Sequence, residues 1–229
     1  MNQSQTVPIP RPGLTPTEAS FWRGSEIFLS PLRLDSSEQP GSLAGFIGRI
    51  PKTAIEVSMR RVRYAVAMSL DGYIAGPNGE ADWIVGDPTV NIAEFFKAFY
   101  AQFDIAVMGR RTYELVGGAI EGMRTYVFSR TLSPGNCKGV TILSENGIEE
   151  LARLRAEEGR DIWLFGGGRL FGSLASAGLV DSVELGVMPV LLGGGTPLIA
   201  GIAERVKLKL VHSEHSAVGV VSLKYELDR

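Results

Sequence analysis

Apolar positions along this chain fall into two patterns, and the regular alternation between them begins only after residue 58. Val62 to Met68, Ile105 to Met108, Thr125 to Phe128, Val140 to Leu143, Ile162 to Phe165 and Ser182 to Met188 are short, dense apolar runs of strand length. Between them, Ile92, Phe95, Phe96, Phe99 and Tyr100 recur at helical spacing and predict an amphipathic helix over residues 89–102. A second helix, rich in Glu, Arg, Leu and Ala, is expected over residues 147–158, and a third follows Gly168. Val206 to Ser213 and Val218 to Leu227 alternate well enough to predict a C-terminal antiparallel hairpin. Strands separated by helices imply an α/β fold. Its central sheet is mostly parallel and covered on both faces, with an antiparallel edge at the end.

Residues 1–58 read differently. They hold seven of the twelve prolines, show no sustained period, and lack the basic and apolar regions of a secretory signal. We expect an extended or disordered extension there, with the functional domain over residues 59–229. Met59 opens a sharply different sequence that looks like a natural start.

Composition narrows the classes. Hydrophobic residues make up 45% of the 229, which supports a real core. A net charge of −2 argues against a nucleic-acid surface, which would carry a basic excess. Cys137 is the one cysteine, so no internal disulfide can form, and no Cys/His spacing suggests a metal. His212 and His215 lie in a strand-like segment and read as a solvated strand end. No apolar run approaches the ~20 residues of a membrane span. The expectation is a soluble, cytoplasmic protein acting on a small molecule.

In an open α/β sheet, ligands bind beyond the carboxyl ends of the strands. The first strand ends in Ser69-Leu70-Asp71-Gly72, and the next in Gly109-Arg110-Arg111-Thr112. The others of interest end in Ser129-Arg130-Thr131 and Gly166-Gly167-Gly168-Arg169. Three of the four set glycine or hydroxyl residues beside arginine. Backbone donors, hydroxyls and guanidinium forks together suit phosphate. The glycine run before a helix start suits pyrophosphate in particular. Each turn taken alone is equally a strand-to-helix connection with solvated arginines, and agreement among three strand ends is what favours a phosphate-bearing cofactor. No Gly-x-Gly-x-x-Gly follows the first strand, and no Walker loop occurs. Gly193-Gly194-Gly195 follows Pro189 and reads as a loop.

These motifs, in order, resemble those of dihydrofolate-reductase-like proteins: Ala67 to Gly76, Met108 to Glu114, and Phe165 to Leu170. Leu179-Val180-Asp181 followed by Met188 to Gly193 is similar to the reductase domain of the bifunctional riboflavin-biosynthesis deaminase-reductases. The resemblance runs from Met59 to the C-terminus. It implies a three-layer fold with NADPH across the carboxyl edge of the sheet. By that analogy Gly166, Gly167, Gly168, Arg169 and Leu170 hold the pyrophosphate, and Gly109, Arg110, Arg111 and Thr112 grip phosphate from a second helix start. Ser129 and Arg130 lie near the adenosine 2′-phosphate, and Ala67 approaches the nicotinamide.

The proton source departs from the pattern of dihydrofolate reductases, which place a carboxylate on the first helix. Glu94 is a candidate if it faces the cleft, and otherwise a surface carboxylate; Asp71 is the other candidate, and Asp-Gly is also simply a good turn. Trp83 either closes over the nicotinamide or packs its own loop. Three functions follow: an NADPH-dependent reductase of a pterin-like or pyrimidine-like heterocycle, a riboflavin-pathway pyrimidine reductase, or a nucleotide-binding protein without catalysis. A homodimer through the hairpin and the run Val218 to Leu223 is a further expectation, against an ordinary buried strand.

Overall fold

The computed structural model describes residues 59–228 other than 87, 89, 138 and 203, and of Ile92 the backbone alone. The expected N-terminal extension, residues 1–58, lies outside the described residues.

Among the described residues, eleven strands and four helices follow one another from Val62. They are β1 (Val62–Ser69), β2 (Tyr73–Ala75), α1 (Ile92–Tyr100), β3 (Phe103–Gly109), α2 (Arg110–Val116), β4 (Arg124–Phe128), β5 (Gly135–Cys137) and β6 (Val140–Leu143). There follow α3 (Gly147–Arg155), β7 (Asp161–Gly166), α4 (Gly168–Ser176), β8 (Ser182–Met188), β9 (Thr196–Pro197), β10 (Leu208–His215) and β11 (Val221–Leu227). Nine strands form one sheet in the order β10-β11-β8-β1-β7-β3-β4-β6-β5. The six from β8 to β6 run parallel, and both flanks are antiparallel.

Alternation along the strands sorts side chains onto two faces. Val62, Tyr64, Ile105, Val107, Ile162 and Leu164 pack against Leu151 and Leu154 of α3 and Phe171 and Leu174 of α4. On the opposite face, Ala65, Ala106 and Trp163 pack beneath Phe95, Phe99 and Tyr100 of α1, while Met108 and Val127 meet Tyr113 of α2. The expected three-layer, dihydrofolate-reductase-like α/β architecture is the one observed. Every residue of β8 is buried, as a strand covered on both faces must be.

The helix expected over 89–102 is shorter. Asn91 caps it, its Oδ1 accepting the Glu94 N–H at 3.3 Å. The helix expected over 147–158 ends at Arg155, with acidic residues in its first turn and basic ones in its last, matching the helix dipole. The hairpin is present, with its strands beginning two or three residues later than the alternation suggested. Val221 to Leu223 lie in β11, which is inside the sheet between β10 and β8. Two pairings show no period in the sequence: β5 along β6, and a small β2–β9 ribbon. Both have a partner of three residues or fewer, too short for alternation to register.

Among the described residues no helix is long and apolar enough to cross a membrane, and no cluster of potential metal ligands occurs. His215 is exposed and His212 half-buried, the latter lying 3.5 Å from the Glu214 carboxylate.

Candidate active site

A cleft of about 1500 Å³ runs along the carboxyl edge of the parallel strands. At ~4.8 Å per strand the edge from β8 to β6 is about 24 Å across, enough for an extended ligand. The cleft is larger than the roughly 300–1,000 Å³ that one drug-sized molecule occupies.

Its middle is the turn from β7 into α4. Gly167 has φ of +93°, in the region that glycine enters without strain. It also caps α4 without a side chain to accept a helix N–H. The N–H groups of Gly168, Arg169 and Leu170 therefore have no acceptor within the helix or its cap, and they open at the cleft. Gly168 is a glycine for a second reason. A Cβ there would stand 2.4 Å from the Pro197 carbonyl oxygen, while its own carbonyl accepts the Ala200 N–H at 3.1 Å.

Beside this turn, Gly109, Arg110, Arg111 and Thr112 line the cleft from the start of α2. Thr112 Oγ1 stands 3.5 Å from where a Gly166 Cβ would be. At the end of β4, Ser129 and Arg130 line it too. The Ser129 hydroxyl accepts the N–H groups of Thr131 (3.1 Å) and Leu132 (2.9 Å), so it builds the turn that presents Arg130. Arg110 is paired with Glu114 at 2.8 Å across one exposed helical turn.

Arg111, Arg130 and Arg169 differ from most of the arginines elsewhere; outside the cleft only Arg160, which donates to the Ala101 carbonyl, and Arg205 share their lack of a carboxylate among the described residues. Arg60, Arg61, Arg63, Arg124, Arg153 and Arg155 each hold a carboxylate. Among the described residues the three cleft guanidiniums hold none. Three unneutralised forks and an uncapped helix start thus share one edge, and the residues present fit an anionic dinucleotide.

The other half of the cleft is aromatic. Ala65 and Ala67 of β1 floor it, with Phe95, Phe96, Phe99 and Tyr100 of α1 and Trp163 and Phe165 of β7 around them. Trp163 stands 4.3 Å from Phe165 and 5.2 Å edge-on from Phe99, measured between ring centroids. Its indole N–H is spent on the Ala65 carbonyl at 3.0 Å. Burial raises the pKa of the Tyr100 phenol, which stays protonated near neutrality.

The two candidate proton donors lie outside this lining. Glu94 is exposed and does not line the cleft. Asp71 does not line the cleft either. Its carboxylate accepts the Ser69 hydroxyl at 2.6 Å, the Leu192 N–H at 3.1 Å and the Gly193 N–H at 2.7 Å. The Ser69 bond chiefly, with the two backbone bonds, lowers its pKa, so it stays ionised. Asp71 is a clasp between the β1–β2 turn and the loop after β8. That loop is therefore more than a connection: Gly195 and Thr196 line the cleft, and Gly195 passes so close to Ala75 that a Cβ would fall 2.1 Å from its carbonyl oxygen. Trp83 donates to the Glu80 carbonyl at 3.0 Å, packs its own loop, and does not line the cleft. The aromatic wall went unassigned in the sequence reading, although the spacing of Phe95, Phe96, Phe99 and Tyr100 carried its signal.

Comparison with known proteins agrees with this geometry. Over 185 residues the chain is 34% identical to uncharacterized protein YyaP of Bacillus subtilis (strain 168), an overlap of 74% of this chain and 96% of that one. Its fold is similar to that of a putative riboflavin biosynthesis protein from Shewanella sp. PV-4, at 27% identity and a TM-score of 0.64, over 75% of this chain and all of that one. It is also similar in fold to dihydrofolate reductase from Enterococcus faecalis complexed with NADP(H), at 18% identity and a TM-score of 0.57, over 74% and 97% of the two chains. Residues 60–222 match the RibD C-terminal domain, and the chain belongs to that family.

Proposed function

We propose that this chain is an NADPH-dependent reductase of a small heterocyclic substrate, pyrimidine-like or pterin-like. The observation that carries the reading is the convergence of three guanidiniums without a carboxylate among the described residues, Arg111, Arg130 and Arg169, on an uncapped helix start at one sheet edge. In this reading Gly166 to Leu170 receive the pyrophosphate through backbone N–H groups. Arg110, Arg111 and Thr112 hold phosphate from the start of α2. The Arg110–Glu114 pair is worth only a few tenths of a kcal/mol and yields readily to a phosphate. Arg130 meets the 2′-phosphate, and Ser129 holds the turn that presents it. Bound NADPH supplies a hydride. Ala65 and Ala67, with small side chains, leave room for a flat ring above β1, and the aromatic wall excludes water from it.

Two alternatives have an observation each. The similarity to a putative riboflavin biosynthesis protein favours a riboflavin-pathway pyrimidine reductase. The placement of Glu94 and Asp71 outside the cleft favours a nucleotide-binding protein without turnover.

Calorimetric titration of the full chain with NADPH and, separately, NADH tests the cofactor. Tight binding that prefers NADPH is expected. Arg130→Ala should weaken NADPH by roughly tenfold to a hundredfold, as losing a charge-assisted contact does, and NADH far less. Equal losses for the two nucleotides would remove Arg130 from the 2′-phosphate. Binding of neither nucleotide would sink the reductase reading.

A further inference from the structure

We propose that the aromatic end of the cleft receives a flat, uncharged heteroaromatic ring that carries no phosphate. This rests on NADPH occupying the arginine-bearing end. The charges lining the cleft are divided by position. Arg110, Arg111, Arg130 and Arg169 stand at the ends of β3, β4 and β7, and Glu145 follows β6. Around Phe95, Phe99, Tyr100, Trp163 and Phe165 no lining side chain of α1, β1 or β7 is charged. Glu121, the remaining lining carboxylate, is exposed in the connection between α2 and β4.

Among the described residues, then, exposed Glu121, next to Ile120 that packs on the aromatic cluster, is the one charged group at this end, and no buried side chain there carries either sign of charge. An anionic tail would leave water without meeting a cation, since the available guanidiniums serve the nucleotide. Among the described residues a cationic ring would meet no buried carboxylate, because Glu94 is exposed outside the lining, Glu121 is exposed, and Asp71 is engaged by Ser69, Leu192 and Gly193. The wall instead offers ring faces and edges, which attract flat rings by stacking and edge contacts. The Trp163 N–H is already spent, and the Tyr100 phenol remains as a neutral hydrogen-bonding group.

Three probes that share one ring system test this: lumichrome, riboflavin and riboflavin 5′-phosphate, titrated by fluorescence into the full chain with saturating NADP+. Riboflavin controls for the bulk of the side chain, and its 5′-phosphate adds only the charge. Lumichrome and riboflavin should bind, and riboflavin 5′-phosphate should bind roughly tenfold or more weakly than riboflavin. Phe95→Ala should weaken lumichrome about fivefold to tenfold through the lost ring contact. NADP+ binding, titrated in parallel, should fall less than lumichrome binding, since the arginines stand at the ends of β3, β4 and β7 and Phe95 on α1. Intact NADP+ binding with equal or tighter binding of the phosphate form, or with no flavin bound, overturns the proposal. Failure of NADP+ itself to bind overturns the cofactor reading beneath it.

Discussion

Glu184 is a carboxylate held almost wholly out of water by two cations. Arg63 grips it with two bonds of 2.8 and 2.7 Å, and Lys224 reaches it at 3.0 Å. Burial by itself would raise its pKa, but the hydrogen bonds and charge of Arg63, with Lys224, outweigh that and hold it low. Removing the acid leaves Arg63 buried over the Phe103 ring with only Gln102 and the longer contact to Asp161. Glu184→Ala should therefore cost about 3–5 kcal/mol, measured by urea unfolding. A loss under about 1 kcal/mol would mean that water reaches the site and screens Arg63. None of this pair was legible in the sequence, because the partners are 121 residues apart. The phosphate-binding turns were legible because each is local: a strand, a glycine or hydroxyl, and an arginine in sequence. Glu94 shows a signal present but unused. At ~100° per residue it lies about 170° around α1 from the mean direction of Phe95, Phe96, Phe99 and Tyr100. The same aromatics that predict the helix thus turn Glu94 to solvent.

At the scale of elements, the short β2–β9 ribbon and the Asp71 clasp together roof the cleft. The Leu198 N–H donates to the Gly72 carbonyl at 2.8 Å, and the Tyr64 phenol donates to the Leu198 carbonyl at 2.9 Å. The roof is thereby tied to β1 and, through the stacking of Tyr64 on Phe171 at 4.4 Å, to α4. Asp71→Ala should lower the thermal midpoint near neutrality and weaken cleft ligands. The pH sign follows from the lowered pKa of Asp71 in the folded chain. Its contribution is full above the unfolded carboxylate pKa and is lost as the pH falls through the lower folded value. The gap between the wild-type and Asp71→Ala midpoints should accordingly close in acid. A gap that stays constant from neutrality into acid would show that the clasp acts without its charge. The ribbon escaped the sequence reading because a pairing of two and three residues has no period. The Asp-Gly turn was visible, but the backbone donors at Leu192 and Gly193 that its carboxylate accepts were not.

Across the whole molecule, the cleft is assembled from the ends of six parallel strands, so one dinucleotide would touch several elements at once. Saturation with NADPH at a hundred times its Kd should stabilise the folded state by about 2.7 kcal/mol. For a domain of this size that raises the thermal midpoint by about 5–10 °C. An unchanged midpoint at saturation would mean that no nucleotide binds the folded chain preferentially. The layered fold and the antiparallel C-terminal end were readable from the chain because six of the strands are dense apolar runs. Their order in the sheet was not, since nothing local says that β1 lies between β7 and β8.

That placement has a consequence for biogenesis. Val62 pairs with Ile162, and Arg63 with Ser182, so the first strand of the sheet waits for partners synthesised a hundred residues later. At about 5–20 residues per second, β1 spends on the order of 5–20 s outside the ribosome as an unpaired apolar strand. Chains interrupted before β8 would keep that edge open, a template for pairing with other chains.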